Sequence, residues 1–501
     1  MKRIVIALLI LLPLSARAQF SGTERPAGDS TLVISLDDAI KIALSENTSV
    51  KVADMEVQRQ QYAKKGAYGA LFPQISASLA YSYAIQKQKV FFGSDDSDGG
   101  SSGGGMASMF KSYFEPIMAY IQQLYEVTGT PFIPYVTPEP EGGSSSSSDP
   151  IEMGRRNQVT LGLTASMPVI NFQLWESLKI TGDQVELAVE QARESRLGTV
   201  AAVKQAYFSV LMAKASFDVY DAVCENAGEN LKLTESKYKA KKATEIDLAR
   251  ASSNLAAAIP NLFAAENSIS LSLWQLKAVM GLDLDKDIDV KGSLEDYAQE
   301  MFYEIMEASE ASEASLDRNS QMRQLAAQAE MLAKQIRMKS YAYIPTLSMS
   351  LSYNYYTQSD MFNLAQWKWL PSSTLMFSLS IPIFTGGQNY YGIRQTVVQA
   401  DELALQRQET ERQLRIAIRQ SLSTMDSAMK TYDAAGEALK SAQKAYDIAN
   451  RSYQIGKITL TDLNNTELTL TQTRLQQYQA IYNFINAKTS LEQTLGYDFA
   501  E

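Results

Sequence analysis

The sequence predicts a mainly α-helical chain with a membrane β-barrel contribution, internally duplicated, with four strands and long coiled-coil helices. Three observations predict it. The first is a seam: Ile418, Ser421, Met425, Ala428, Tyr432, Ala435, Leu439, Ala442, Tyr446, Ala449 and Tyr453 recur at steps of three and four, large residues alternating with small. A sustained 3.5-residue repeat marks a helix supercoiled against neighbours, and the small residues allow close approach. The second is that the same seam stands 215 residues earlier, as Val203, Ala206, Val210, Ala213, Phe217, Tyr220, Cys224, Ala227, Leu231, Thr234 and Tyr238. Two registers this similar make the chain two copies of one unit. The third is that each copy holds two stretches in which apolar and small polar residues alternate strictly, the period of a strand.

Composition narrows the class. Lys2 and Arg3, the apolar run from Ile4 to Leu14, and Ala16-Arg17-Ala18 read as a secretory signal over residues 1–18. That run is too short to cross a bilayer as a helix. Gln19, not Cys, follows the expected cut, so the mature chain is expected not to be N-terminally lipidated. The single cysteine, Cys224, lies on the seam as a small filler, and one thiol cannot build a disulfide framework. The net charge of −10 becomes about −13 without Lys2, Arg3 and Arg17, which disfavours nucleic acid as a partner. No later apolar run is long enough for a transmembrane helix, so a membrane form must use strands.

Taken in order, a first structural repeat spans 19–283. Residues 19–33 are a polar tether or extended arm. Ser35 caps a helix whose first turn carries Asp37 and Asp38, favoured by the helix dipole. A second helical run covers 48–70. Strands follow at 71–86, with Ile75, Ala77, Leu79, Tyr81, Tyr83 and Ile85 on one face, and at 158–169, ended by Pro168. The insert between them, 87–157, is Gly/Ser-rich at both ends with an apolar helical middle. It reads as a lid over a mouth or as an ordered loop packed on its own surface. A long helix at 172–237 turns into a returning helix at 247–280, with a kink expected at Pro260 and an end at Gly281. An acidic linker at 284–312 leads to the second repeat, 313–501, where Leu316, Asn319 and Pro345 match Leu44, Asn47 and Pro73 at an offset of 272. Its strands are expected at 345–357 and 374–384, its helices at 388–454 and 462–495. At 1.5 Å per residue each long helix reaches roughly 100 Å.

Four strands cannot close a barrel wide enough for water, and an open sheet edge cannot face lipid. If these strands lie in a membrane, several chains share one barrel, apolar faces outward and Ser-rich faces inward. Tyr81, Tyr83, Tyr353, Tyr355, Trp367 and Trp369 are then candidates for an interfacial aromatic girdle. A soluble sandwich is the alternative, but it gives the long helices nothing to join. The rival in function is a pore-less periplasmic coiled-coil structural or adaptor protein. Catalysis has no support and no cofactor is expected. There is no histidine, and no phosphate-binding loop, nucleophile elbow or cysteine pair occurs.

The chain resembles the TolC-like outer-membrane efflux proteins over nearly all of its expected mature length. The resemblance rests on Leu36-Asp37-Asp38-Ala39-Ile40 with Asn47, on Pro73 and Pro345, and on the strand ends Ser166-Met167-Pro168-Val169 and Ser380-Ile381-Pro382-Ile383-Phe384-Thr385-Gly386-Gly387. The turn Tyr453-Gln454-Ile455-Gly456-Lys457 with Asp462-Leu463 completes the set. The resemblance implies a homotrimer with one twelve-stranded barrel and one twelve-helix periplasmic tunnel. It makes 284–312 an equatorial linker, and it implies a periplasmic adaptor and an inner-membrane transporter as partners. The function implied is the outer-membrane exit channel of a tripartite efflux or type I secretion system.

The same resemblance places the periplasmic entrance at the two helix–turn–helix tips. Asp462 looks like an entrance-ring aspartate, which in three copies would favour cations; its other reading is a cap of the return helix. Asn465, one turn on, stands where the family often has a second acidic residue. Asp247 is the first-repeat match of Asp462, implied to hold the tips closed. Tyr238, Lys241, Tyr453, Gly456 and Lys457 are implied adaptor-contact tips; Tyr238 and Tyr453, at equivalent ends of the two seams, read as core residues that stabilise the tips, with a gating role as the alternative. Gly456 suits unusual backbone angles. Lys241 replaces it in the first repeat, so the two tips are expected to differ.

Overall fold

The computed structural model describes residues 32–90, 123, 151–298, 316–362 and 367–497. The expected signal, most of the insert, and the end of the linker lie outside them. In chain order the elements are β1 (Leu32–Ile34), α1 (Leu36–Glu46), α2 (Thr48–Tyr68), β2 (Gln74–Tyr83), β3 (Gln88–Val90), β4 (Ile151–Met153), β5 (Asn157–Ile170), α3 (Phe172–Lys239) and α4 (Glu245–Met280). There follow β6 (Ile288–Val290), α5 (Ser320–Ser340), β7 (Thr346–Ser359), β8 (Leu370–Ser380), α6 (Gln388–Gln454) and α7 (Leu460–Leu495). They form two compact units, one strand-built (68–173 and 341–385) and one helical.

The strand unit is an antiparallel sheet in the order β2-β5-β7-β8. Register is what gives it two faces. Leu79 pairs with Leu161, which pairs with Tyr355; Ile75 with Ala165, Leu351 and Leu375 makes another apolar row. One residue along, Ser78 pairs with Gly162 and Asn354, and Ser76 with Thr164, Ser352 and Thr374. A slip of one residue on any strand would exchange the faces. β2 and β8 are exposed along their whole lengths, and among the described residues each has a sheet partner on one side only. Pro168 does not end its strand. β5 continues to Ile170, with the register shift falling between those two residues. β8 begins at Leu370 and stops at Ser380, earlier at both ends than the alternation indicated.

In the helical unit the predicted seam is the core. Ile418, Met425, Ala428, Ala435, Ala442, Tyr446, Ala449 and Tyr453 on α6 are buried. Ile418, Met425 and Ala428 join a cluster with Val203, Ala206 and Val210 of the first copy and with Phe484 of α7. α4 is continuous from Glu245 to Met280 with Pro260 inside it. Three rungs tie α3 to α5: Glu176 with Arg337, Asp183 with Lys334, and Glu190 with Arg323.

The duplication is visible in detail. Ser35 caps α1 as expected, accepting from the Asp38 amide. The Asn47 side chain donates to the Val279 carbonyl at 2.7 Å, and the Asn319 side chain donates to the Thr494 carbonyl at 2.7 Å. Each lies beside a left-handed glycine that ends the facing helix, Gly281 and Gly496, both at φ +73°. A Cβ on either would collide with the Glu46 or the Arg318 carbonyl. The arm and linker are more regular than their sequences indicated, because β1 and β6 pair in parallel. Tyr207 donates its hydroxyl to the Lys291 carbonyl, and burial pushes its pKa up to about 12.

Candidate functional site: the two helical hairpin tips

Each tip begins with a helix end. α3 closes at Lys239 and α6 at Gln454. At the second, Gly456 adopts φ +77°, its amide donates to the Tyr453 carbonyl at 3.0 Å, and the Lys457 amide donates to the Ser452 carbonyl at 2.8 Å. At the first, Lys241 adopts φ +62°, its amide donates to the Tyr238 carbonyl at 2.9 Å, and the Lys242 amide donates to the Lys237 carbonyl at 2.7 Å. At this position the tips differ in residue but not in turn geometry. The backbone paths match, and Lys241 accepts a conformation that glycine takes without cost.

The returning helices start two residues earlier than the sequence indicated, at Glu245 and Leu460, for one reason. Their N-caps are Thr244 and Thr459, and Asp247 and Asp462 sit at the third helical position. The Asp462 carboxylate accepts from the Thr459 amide at 3.2 Å and hydroxyl at 2.7 Å, while its own amide donates to the Thr459 oxygen at 3.2 Å. Asp247 repeats this with Thr244 at 3.0, 2.7 and 3.2 Å. These are reciprocal capping boxes. The Thr244 hydrogen bonds hold the Asp247 carboxyl below its ordinary range. Asp462 and Asn465 are exposed; Asp247 is half-buried.

The seam tyrosines part company. Tyr453 is buried, whereas Tyr238 is 41 % exposed, so the expectation of two core tyrosines is corrected for Tyr238. Thr234 donates to the Asn230 carbonyl at 2.7 Å and accepts from the Tyr453 hydroxyl at 2.6 Å. Lys237 donates to the Tyr453 carbonyl at 2.6 Å and stands 4.0 Å from the ring centroid. Desolvation lowers its pKa. An open groove of about 680 Å³ runs between the tips, bordered by Lys242, Asp247, Tyr453, Gly456 and Ile458. The structure thus brings Asp247, Tyr453 and Gly456 to one groove; Lys241 and Lys457 are exposed. Lys237 and the two capping threonines were not singled out from sequence, and Thr234 only as a seam position. The T-x-x-D spacing, repeated at an offset of 215, was the signal for the caps.

In the strand unit, Tyr83, Tyr81, Tyr355 and Tyr353 lie on the apolar face toward the end where β2 runs out and β8 begins. The Tyr353 and Tyr355 rings meet edge to face at 5.2 Å. Phe362 bridges Tyr81 at 6.1 Å and Trp367 at 5.6 Å. Trp369 is exposed just before β8. The opposite end has aromatics that sequence reasoning passed over: exposed Phe72, Tyr343 and Phe384, and the Phe172–Tyr341 pair at 5.9 Å. Their signal was position, each lying within a few residues of a strand end.

A family model described as outer membrane efflux protein matches residues 119–282 and 311–497, well over half the chain. The chain belongs to the outer membrane efflux protein family. The outer membrane protein TolC of Vibrio cholerae is 22 % identical over 236 residues, which is 46 % of this chain and 52 % of the relative. The chain thus spans about half the length of that curated relative. The fold matches the CmeC outer membrane channel of Campylobacter jejuni at a TM-score of 0.66 and 16 % identity, covering 92 % of this chain and 85 % of that one. It also matches the outer membrane protein VceC of Vibrio cholerae at 0.64 and 16 %, covering 93 % and 96 %. Chains with so little sequence in common thus share this fold.

Proposed function

We propose that this chain is the outer-membrane exit channel of a tripartite efflux or type I secretion system. It passively conducts substrates handed on by a periplasmic adaptor and an inner-membrane transporter. The observation that carries this reading is the four-stranded sheet. One face is mainly apolar, the other mainly Ser, Thr, Gly, Asn and Gln, and among the described residues neither edge strand has a second partner. Such edges are untenable in lipid unless they pair. β8 of one copy against β2 of the next, three times over, closes a twelve-stranded barrel with water inside and lipid outside. The aromatics at the two ends of the sheet suit the two interfaces. The helical unit then forms the periplasmic tunnel, with the tips as its entrance and adaptor surface and the exposed Asp462 lining the opening.

Planar-bilayer conductance of the detergent-purified protein tests this. The expected result is a trimer by mass that forms cation-preferring channels, with the preference reduced in Asp462→Ala. A mature protein that is monomeric and soluble without detergent would overturn the channel reading in favour of a pore-less coiled-coil protein. An unchanged cation preference in Asp462→Ala would remove the entrance role of that residue alone.

A further inference from the structure

Glu467 sits on the apolar seam of α7, in line with the buried Leu460, Leu463 and Leu470. It is only 9 % exposed, and its Oε1 has no hydrogen-bond partner. Desolvation raises its pKa, offset in part by the Asn226 side chain, and no ion pair reaches it among the described residues. The acidic groups acting on neighbouring Tyr446 are Glu467 itself, Glu229 on α3 and Asp447 on α6. A buried carboxyl in this position lacks a positive partner, and a charge left so is costly.

Space for a partner lies beside it. A half-open cavity of about 290 Å³ between α3, α4 and α7 has Glu467 in its wall. Asn230, Asn254, Asn261, Asn464 and Asn465 are among the residues that line it. Tyr220, Val223, Ala251, Ala258 and Leu468 supply an apolar surface with one aromatic ring. No charged side chain of α4 borders it.

This donor set is selective. A hard divalent ion seeks six or more oxygens, commonly from several carboxylates, and no group of three acidic, His or Cys ligands occurs among the described residues. A primary ammonium needs about three acceptors, which one carboxylate and neighbouring amide oxygens can supply. Apolar walls suit the hydrocarbon it carries. We propose that this cavity binds a small organic ammonium compound, its nitrogen on Glu467 and the asparagine amides and its apolar part against Leu468, Val223 and Tyr220.

Isothermal titration of the full-length protein in detergent with 2-phenylethylammonium tests the site, with 2-phenylethanol as an uncharged probe of similar shape. One saturable site per chain is expected, with the alcohol at least roughly tenfold weaker, about the worth of one charge-assisted hydrogen bond. Glu467→Gln should weaken ammonium binding by a similar factor and abolish its rise with pH as the Glu467 carboxyl, whose pKa desolvation raises, gives up its proton. Ala257→Leu, at an exposed position on the rim, should block entry without disturbing the core. Equal binding of amine and alcohol, or of wild type and Glu467→Gln, would overturn the proposal, as would no saturable binding in the wild type. Conductance is not part of the readout, so failure here leaves the channel reading standing.

Discussion

The two hairpin tips have one backbone and two different environments. Both close with a left-handed residue, and both reopen with a Thr–Asp capping box of nearly the same dimensions. Yet Tyr453 is buried under Lys237 and Thr234, while Tyr238 stands out in solvent. The backbone follows from local chemistry that both copies retain. The environment depends on what another helix places opposite, and among the described residues Tyr453 is covered where Tyr238 is not. The clasp is therefore one-sided: the end of α3 holds the end of α6.

The largest test of that asymmetry is truncation. Tyr453→Ala removes a buried ring and should destabilise the helical unit by about 3 kcal/mol, in the range for large-to-small core changes. Tyr238→Ala should cost well under about 1 kcal/mol, as exposed substitutions do. Denaturant midpoints of the two variants measure the difference; equal losses would mean that Tyr238 is covered in the assembled protein. Tyr453→Phe isolates the hydroxyl. Thr234 keeps its own donation to Asn230, so the cost should be about 1 kcal/mol, the worth of one hydrogen bond.

The same contrast marks how far the sequence could be read. The seam, the four strands and the paired Asn47 and Asn319 were all legible, because periodicity and duplication report which face of an element is buried. What stands opposite that face is not written in the period. Tyr238 and Tyr453 occupy equivalent seam positions and differ in burial for that reason. Lys241 hid a glycine-like conformation, since a turn held by its neighbours can impose φ +62° on a lysine. Glu467 was legible in principle as an acidic residue on an apolar seam. Its significance needed the cavity, which three helices make together. The parallel pairing of β1 with β6 joins segments too short and too far apart for any local pattern to show.

The caps are where the copies should behave alike. Thr244→Ala and Thr459→Ala should each cost about 1 kcal/mol, as loss of an N-cap does; unequal costs would extend the asymmetry to the backbone. Acid sharpens this at the first tip. The folded-state pKa of Asp247 lies below the ordinary 3.8, so its contribution is present above about that pH and lost as pH falls through the folded value. Thr244→Ala removes the hydrogen bonds that lower it. The gap between variant and wild type, followed as helical circular dichroism, should be full at neutral pH and close in strong acid. A gap unchanged by acid would show that the Thr244 bonds do not depend on the Asp247 charge.

The expected effects at the left-handed residues are small and have opposite signs. Gly456 has open space around its Cα, so Gly456→Ala meets no neighbour and pays only for its φ of +77°, about 1 kcal/mol. Lys241→Gly relieves the same strain at the first tip. Its gain is reduced by the greater freedom of glycine in the unfolded chain, leaving a stabilisation under about 1 kcal/mol. Paired denaturation of the two variants decides whether the turns are energetically equivalent. If Lys241→Gly destabilises instead, the lysine side chain contributes more to the first tip than its backbone strain costs, and the first tip would then have a clasp of its own.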